Sequence, residues 1–196
     1  MAVHELNIPL TNQDIENLQA GDTVYLTGII FTSRDMGHLE IRKSLEAGTP
    51  LPVDFTGSAI FHAGPVVRKT PEGWEMIVIG PTTSMRMEPY AEMVGQLGVK
   101  AIIGKGGMRE GSSKAFQKYK QVYLQAAPGC AVKLAADVRK VEGGYWLEKG
   151  MPEALWVLHV EKFGPLAVTM DSYGNSVYQD IKEQAFKIIE RHCNNP

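Results

Sequence analysis

Residues 80–108 read GPTTSMRMEPYAEMVGQLGVKAIIGKGGM, and they combine hydroxyl, cationic and glycine residues with apolar runs. The stretch opens with three hydroxyl side chains and Arg86, and an amphipathic pattern then predicts a helix over 85–97. An apolar strand is predicted over 99–103, and Lys105 follows among glycines. Hydroxyl groups, two cations and free backbone N–H groups are what a site for a small anion needs. We therefore expect such a site within this stretch.

The rest of the chain alternates between apolar, β-branched runs and amphipathic runs. A buried strand is predicted at 23–31 and a helix follows it. This alternation is typical of βαβ units, in which strands pair in parallel. Residues 59–79 differ, because turn residues separate short strands there and favour antiparallel pairing. We predict an α/β fold with a mixed sheet, and since no linker is evident, one domain over residues 1–196.

Other element boundaries follow from turn and cap signals. Strands are predicted at 154–160 and 166–170, with Phe163-Gly164-Pro165 between them, and a last helix at 179–192. An edge strand is predicted to begin at 146–147. Hydroxyl side chains are predicted to cap three helices: Thr11 with Asp14, Thr32 or Ser33, and Ser112 or Ser113.

Composition argues against several classes of protein. Hydrophobic residues make up 44% and charged residues 21% of the 196 residues, which is typical of a globular protein. The net charge of −2, without a basic stripe, argues against a nucleic-acid surface. No apolar run approaches the roughly 20 residues that span a bilayer, and the N-terminus lacks the features of a signal peptide. Two cysteines fit a reducing compartment, so a cytoplasmic location is predicted.

The same counts argue against a metal site formed by this chain alone. Cys130 and Cys193 provide fewer thiolates than an iron–sulfur cluster usually takes. The histidines show no spacing typical of zinc enzymes. A P-loop is also excluded, because the spacing from Gly98 to Gly104 is too long and Gly106 follows the lysine.

Three cations lie at comparable ends of predicted elements. Arg34 and Lys105 each follow a predicted strand, and Arg86 follows the hydroxyl turn. Such positions suit a dicarboxylate, since arginine can bind a carboxylate through two parallel hydrogen bonds. The alternative is that they are solvated surface cations, with Arg34 paired to Asp35 or Glu40. The sequence pattern alone leaves both interpretations open.

Two histidines and a cysteine near these positions also have alternative interpretations. His38, one helical turn after Arg34, could orient a carboxylate or be a partly buried polar residue. His62 lies within an apolar strand, which favours a core histidine with its hydrogen bonds satisfied. Cys130 has no evident partner base, so a small packed residue is favoured.

Several motifs, taken in order, are similar to those of one known family. They are TSRDMGH at 32–38, FHAGPVVR at 61–68, GPTTSMRME at 80–88, GVKAIIGKGGM at 98–108, PGCAV at 128–132 and EKGMPEALWV at 148–157. Together they resemble the β subunit of the iron–sulfur hydro-lyases, the class I fumarase and L(+)-tartrate dehydratase family. The resemblance covers roughly residues 22–181.

The resemblance implies the swivelling β/β/α fold of that family and a reversible removal of water from a C4 dicarboxylate. It also implies a 4Fe–4S cluster, one iron of which holds the substrate hydroxyl and a carboxylate. The cluster cysteines of the family belong to an α subunit, which agrees with the two cysteines of this chain. The expected partners are that α subunit and a small dicarboxylate, in a hetero-oligomer of which α2β2 is one form.

The resemblance further implies roles for individual residues. Thr82 is similar to the threonine proposed as the catalytic base of the family, with an α-subunit aspartate as its partner. The residues implied in substrate binding are Arg34, His38, Thr83, Arg86 and Lys105. The sequence GKGGM at 104–108 departs from the AKGN typical of fused fumarases. It indicates the two-subunit branch and leaves the substrate open.

The sequence therefore leaves three functions open. The predicted reaction is the conversion of malate to fumarate by the β subunit of a fumarate hydratase. The alternative within the same family is an L(+)-tartrate dehydratase β subunit that gives oxaloacetate. The alternative of another class is a module that binds a small anion without catalysis.

Overall fold

The computed structural model describes the backbone of residues 1–193 and the side chains of residues 1–190. Within that range, no helix combines the length and the apolar character needed to cross a membrane. The single domain predicted over residues 1–196 extends beyond the described range, and it stays a prediction.

The described part of the chain forms nine strands and six α-helices. The strands are β1 (Val3–Asn7), β2 (Thr23–Thr32), β3 (Ala59–Phe61), β4 (Val66–Thr70), β5 (Gly73–Val78), β6 (Ala101–Gly104), β7 (Val122–Gln125), β8 (Val138–Tyr145) and β9 (Leu155–Met170). The helices are α1 (Asn12–Glu16), α2 (Asp35–Glu46), α3 (Ala91–Gln96), α4 (Glu110–Tyr119), α5 (Ala131–Ala136) and α6 (Val177–Cys193). Two 3₁₀ helices, Ser84–Tyr90 and Leu147–Lys149, precede α3 and β9.

The nine strands form one mixed sheet in the order β1-β2-β3-β6-β7-β9-β8-β5-β4. The pairs from β1 to β7 are parallel, and the pairs from β7 to β4 are antiparallel. An additional antiparallel pairing joins β2 to β9, so the circuit β2-β3-β6-β7-β9 closes on itself. The predicted α/β fold with a mixed sheet is confirmed.

The apolar side chains of the parallel strands separate into two layers, because successive residues of a strand point to opposite faces. Ala59, Phe61 and Ile103 pack in one cluster with side chains of β2, β7 and β9. Ile60 and Ile102 point the other way and pack with side chains of α2, α3 and α4. Burial on both faces explains why these strands are continuous apolar runs in the sequence.

Strand β3 is parallel to both of its neighbours, which corrects the prediction for residues 59–79. Strands β4 and β5 do pair in antiparallel fashion, as expected. Strand β3 instead lies between β2 and β6, and all its residues are buried. The turn residues that follow it suggested a hairpin, but burial on both faces requires a central strand.

Strand β9 is one strand of 16 residues where the sequence predicted two. Gly164 and Pro165 together lie opposite a single residue of β2, Tyr25. This arrangement is a β-bulge, which accommodates glycine and proline without ending the strand.

Strand β8 was not predicted, and the edge strand predicted at 146–147 is wrong. Most of β8 is exposed or half-buried, with Val141 as its buried residue, so it lacks a clear apolar alternation. Trp146 has a φ of 58° in the left-handed region, and it ends the extended conformation and precedes a 3₁₀ helix.

The helix predicted over 85–97 is divided into two helices of different type. Ser84–Tyr90 is a 3₁₀ helix, and α3 begins only at Ala91. Pro89 lacks an N–H group and disfavours α geometry at the residue before it, which explains the division. Met87 is buried in the first of these helices, whereas Met85 is 39% exposed.

The predicted caps had different outcomes. The capping box of α1 is confirmed, with the Asp14 N–H donating to Oγ1 of Thr11 at 3.2 Å. Helix α2 has Arg34 at its N-cap, and the Arg34 side chain makes no capping hydrogen bond. The predicted cap is wrong there because the Thr32 hydroxyl is used in the core, where it accepts a hydrogen bond from the Trp156 N–H at 3.1 Å.

A carboxylate from the 3₁₀ helix caps α4, in place of the predicted Ser112 or Ser113. Glu88 accepts hydrogen bonds from the N–H groups of Arg109 at 2.8 Å and Ser112 at 2.9 Å. It also accepts one from the Ser112 hydroxyl at 2.6 Å. Free N–H groups at a helix start need such acceptors. Glu88 therefore connects the 3₁₀ helix to α4.

Replacing Glu88 with alanine is expected to lower the free energy of unfolding by about 1–2 kcal/mol, because three donors at the start of α4 lose their acceptor. Urea denaturation measures the effect. The matched control is Glu110→Ala in the first turn of the same helix, where the carboxylate pairs only with exposed Lys114. We expect this control to change stability by less than about 0.5 kcal/mol. Equal losses for the two variants would contradict the capping role.

Candidate functional site

The segments after β3, β5 and β6 meet at the carboxyl ends of the parallel strands. The His62 N–H donates to the carbonyl of Ile103 at 2.8 Å. The Thr82 N–H donates to the carbonyl of His62 at 2.7 Å, and the Ser84 N–H donates to the carbonyl of Lys105 at 3.2 Å. Ligands of open α/β sheets collect at this kind of edge. The backbone thus brings the two ends of the 80–108 stretch together.

Arg86 forms a bidentate ion pair that the sequence did not predict. Its Nε lies 3.0 Å from Oδ1 of Asp35, and its Nη2 lies 3.0 Å from Oδ2. The same Nη2 donates to Oγ1 of Thr82 at 3.0 Å. The hydrogen bonds from Arg86 lower the pKa of Asp35, and the same contact raises the pKa of Arg86. The side chains are 44% and 42% exposed, so the pair faces solvent.

Arg34 pairs with a carboxylate from a distant segment. Its Nη2 lies 3.2 Å from Oε1 of Glu153, not beside Asp35 or Glu40 as the alternative interpretation supposed. Glu153 also accepts a hydrogen bond from the Met36 N–H at 3.0 Å, so it fixes the start of α2 as well. A Cβ at Gly64 would lie 2.6 Å from Nη1 of Arg34. The guanidinium therefore occupies space that only a glycine leaves free.

Thr83 and Lys105 lie side by side in a short parallel β-bridge. Thr83 is exposed and Lys105 is partly exposed. Among the side chains that the structure describes, Lys105 has no carboxylate partner within ion-pair distance, unlike the two arginines. Lys105 is thus a cation available to an anionic ligand.

His38 is completely buried beneath the site. Its Nδ1 donates to the carbonyl of Arg34 at 2.9 Å and lies 2.9 Å from the Ser33 hydroxyl. Burial lowers the pKa of His38 to about 4, so the ring is neutral at physiological pH. Its Nε2 has no hydrogen-bond partner among the described residues. Substrate contact by His38 stays a prediction, and in this conformation the ring packs under Arg34.

His62 is a core histidine, as its apolar strand predicted. It is 1% exposed, and its Nδ1 lies 2.9 Å from the Ser84 hydroxyl. Its ring lies 5.2 Å from that of His38, in an edge-to-face arrangement. Burial holds the pKa of His62 well below its usual value.

The structure brings together five of the six predicted site residues at one surface and places the sixth below it. Thr82 and Arg86 are in direct contact, and Thr83 lies beside Lys105. The charge of Glu153, the partner of Arg34, also raises the pKa of Arg86, which links the two arginines. Their functional roles stay predictions.

Two acidic residues of the site were missed from the sequence, Asp35 and Glu153. Both lie within the quoted motifs, TSRDMGH and EKGMPEALWV. The signal that could have found them is charge balance, because converging guanidinium groups need nearby carboxylates.

A cavity of about 500 Å³ lies beside this surface, at the 106–110 loop and the start of α6. Its lining includes Met85, Gly106, Arg109, Tyr178 and Lys182. The six predicted site residues are not part of that lining. The predicted residues therefore do not form the wall of this cavity.

The described residues do not fit a 4Fe–4S cluster. Cys130 is a free, partly buried thiol. No group of three or more His, Cys, Asp or Glu side chains within the described range could hold a metal ion. The side chain of Cys193 lies outside the described residues.

Comparison with known proteins identifies the family. A model described as "Fumarase C-terminus" matches residues 2–181.

The chain belongs to the fumarase C-terminus family.

The L(+)-tartrate dehydratase subunit beta of Escherichia coli strain K12 is 44% identical over 193 residues, covering 96% of this chain and 94% of that protein. A protein of Methanocaldococcus jannaschii, provisionally named as the same subunit, is 46% identical over 180 residues and covers 91% of this chain and 92% of its own length. A Geobacillus stearothermophilus protein, provisionally named fumarate hydratase class I, is 41% identical over 188 residues. That match covers 95% of this chain but 35% of the relative, so a fumarase C-terminus chain occurs there as part of a longer protein.

A close backbone approach at Gly104 generates a prediction for stability. A Cβ there would overlap the Ser84 hydroxyl and lie 2.9 Å from the Tyr123 hydroxyl. Gly104→Ala is expected to lower the free energy of unfolding by about 1–3 kcal/mol, because buried groups must move. The control is Gly143→Ala in β8, where a Cβ meets no atom within 4 Å. Denaturant unfolding that gives equal stabilities for both variants would contradict the tight packing of Gly104.

Proposed function

We propose that this chain is the β subunit of a hydro-lyase that reversibly dehydrates a C4 hydroxy-dicarboxylate. The observation that carries the proposal is the cluster at the strand ends, where Arg86 contacts both a carboxylate and the Thr82 hydroxyl. Malate is the substrate predicted from the sequence. L(+)-tartrate stands in the names of two relatives, and fumarate in the name of a third. The proposed substrate is therefore a C4 hydroxy-dicarboxylate, and an assay of the individual acids identifies which one.

The two ion pairs support the binding of substrate carboxylates. The carboxylate of Asp35 occupies Nε and Nη2 of Arg86 in a bidentate arrangement, as a substrate carboxylate can do. Both side chains are exposed by more than a third, so exchange of one carboxylate for another costs little. Lys105 provides a further positive charge at the same surface. We assign the two carboxylates of the substrate to these cations.

The position of Thr82 supports a role in proton transfer. A C–H proton next to a substrate carboxylate must leave, and the charge that develops is stabilised by nearby cations. Thr82 cannot accept that proton unaided, because the pKa of a hydroxyl is far too high. The hydrogen bond from Arg86 favours its deprotonated form. Asp35 is a poor acceptor, since Arg86 lowers its pKa. A carboxylate of the α subunit is therefore the expected partner of Thr82.

The α subunit is also the proposed carrier of the 4Fe–4S cluster. The cysteine content of this chain supports that assignment, because two thiols are too few for a cluster. The names of the tartrate dehydratase relatives include the word subunit, which supports a hetero-oligomer such as α2β2. The cytoplasmic location predicted from the sequence stays a prediction.

The alternative of another class is a small-anion-binding module without catalysis. The same cations would bind a dicarboxylate in that case. Presence of a gene for a cysteine-bearing α subunit next to the gene for this chain favours the enzyme, and absence of such a gene from the genome favours the binding module.

Anaerobic co-expression of this chain with that α subunit tests the proposed function. The purified complex is assayed for water removal or addition with malate, fumarate, both tartrates and mesaconate. We expect activity toward at least one of these acids, and this chain alone as the control is expected to be inactive. The preferred acid identifies the substrate. A stable complex that is inactive toward all of them would contradict the proposed function.

Arg86→Ala in the active complex is expected to lower kcat/KM by about a hundredfold, because both the carboxylate clamp and the contact to Thr82 are lost. The matched control is Arg68→Ala, which removes an arginine of the β4–β5 hairpin that pairs with Glu75. We expect this control to retain wild-type kcat/KM. If Arg86→Ala kept kcat/KM within about twofold for every substrate, the assignment of Arg86 would be wrong.

A further inference from the structure

Ser84 lies under the site and contacts strand β7 and the segments that follow β3 and β6. It is 0% exposed. The Tyr123 hydroxyl of β7 donates to its Oγ at 2.8 Å, and Nδ1 of His62 lies 2.9 Å from the same atom. Its backbone N–H donates to the carbonyl of Lys105 at 3.2 Å. Its main chain and side chain therefore join β7, the segment after β3 and the segment after β6.

Predicted site residues lie on the segment of Ser84 itself and on the segment after β6 that it contacts. Thr82 lies two residues before Ser84, and its N–H donates to the carbonyl of His62 at 2.7 Å. The side chain of His62 thus meets Ser84 while its backbone holds Thr82. Gly104, just before Lys105, approaches so closely that a Cβ would overlap the Ser84 hydroxyl. The position of the lysine segment is therefore matched to the size of Ser84.

The buried groups around Ser84 are uncharged, so the hydrogen bonds persist at physiological pH. Burial lowers the pKa of His62 and raises the pKa of Tyr123, which leaves both in their neutral forms. The network is then a fixed set of neutral hydrogen bonds. Hydrogen bonds between buried groups are strengthened by the low local dielectric, so they hold their surroundings in place.

We propose that Ser84, together with His62 and Tyr123, is a positioning residue that fixes Thr82 relative to Lys105. The inference rests on the proposed function, since it assigns these two side chains to the same substrate. Chemistry requires that reacting groups be held within fractions of an ångström of the productive geometry. Arg34 and Arg86 have a second source of support, because they also pair with Glu153 and Asp35.

The expected consequence is a loss of rate that exceeds the loss of binding. In the active complex, Ser84→Ala is expected to lower kcat by about tenfold, with KM changed by less than about threefold, because the arginine clamps stay in place. Amide hydrogen exchange provides a readout that does not depend on activity. We expect exchange at Thr82 and Ser84 to become at least about tenfold faster in the complex with this variant.

The matched control is Ser58→Ala. Ser58 is 3% exposed, and its hydroxyl has no hydrogen-bond partner among the described residues. It precedes β3, at the opposite end of that strand from His62. This variant also removes a buried serine hydroxyl, but one without hydrogen bonds to the site. It is expected to leave kcat and the exchange of residues 80–86 unchanged. Tyr123→Phe removes the donor to Ser84 together with the contact of the same hydroxyl to the Gly107 backbone. It replaces Ser84→Ala if that variant does not fold, and the same two changes are expected.

Faster exchange together with the lower kcat supports the positioning role. Unchanged exchange at Thr82 and Ser84, or faster exchange with wild-type kcat, overturns it. A wild-type complex inactive toward every C4 acid would contradict the proposed function instead. In that case, hydrogen exchange in the wild-type and Ser84→Ala complexes still shows whether Ser84 fixes the segments of Thr82 and Lys105.

Discussion

Strand β2 pairs with three other strands, and the position of the site depends on these pairings. β1 and β3 pair in succession along one edge of β2, and β9 pairs along the other. The segment that leaves β2 therefore emerges between β3 and the start of β9. Arg34 lies in that segment, and Glu153 lies just before β9, which explains how residues far apart in sequence form an ion pair. Without the β2–β9 pairing, neither the start of α2 nor the guanidinium would be held in place.

The ion pairs at the surface organise the site more than they stabilise the fold. An exposed pair such as Arg86 with Asp35 contributes about 0–1 kcal/mol to stability, because water screens the charges. The same weakness permits a ligand carboxylate to replace Asp35 at little cost. The pair instead orients the Arg86 guanidinium, whose Nη2 also donates to the Thr82 hydroxyl. Stability comes instead from the two apolar layers on either side of the parallel strands.

Short-range signals in the sequence predicted much of the fold. The apolar runs predicted β2 and β6, and the capping box of α1 was recognised because both partners lie within one turn. Long-range effects could not be predicted in the same way. The bulge at Gly164-Pro165 depends on the register with β2, and the cap of α4 depends on a carboxylate 21 residues earlier. Strand β8 was missed because it is mostly exposed, so its side chains carry no apolar alternation.

The candidate site shows the same division between local and distant information. The three cations and the hydroxyls were recognisable because each lies at the end of its own element, whereas Asp35 and Glu153 become site residues only when strand ends meet. The buried histidines show the limit most clearly. The spacing from Arg34 left open whether His38 orients a carboxylate or is a partly buried polar residue, and only the structure shows that its ring is fully buried and bonds to the Arg34 carbonyl.

Above the buried histidines, the surface exposes Thr82, Thr83 and Lys105, and no other described segment covers them. Arginine and lysine side chains can hold both carboxylates of a ligand there, but a hydroxyl base beside a cation still needs an acceptor for its proton. Asp35 cannot serve well, because the contact that orients Arg86 also lowers the pKa of Asp35. Under the proposed function, the electrostatics that favour a dicarboxylate at this surface make it a poor general base by itself. That proposal therefore assigns the acceptor of the proton to the α subunit.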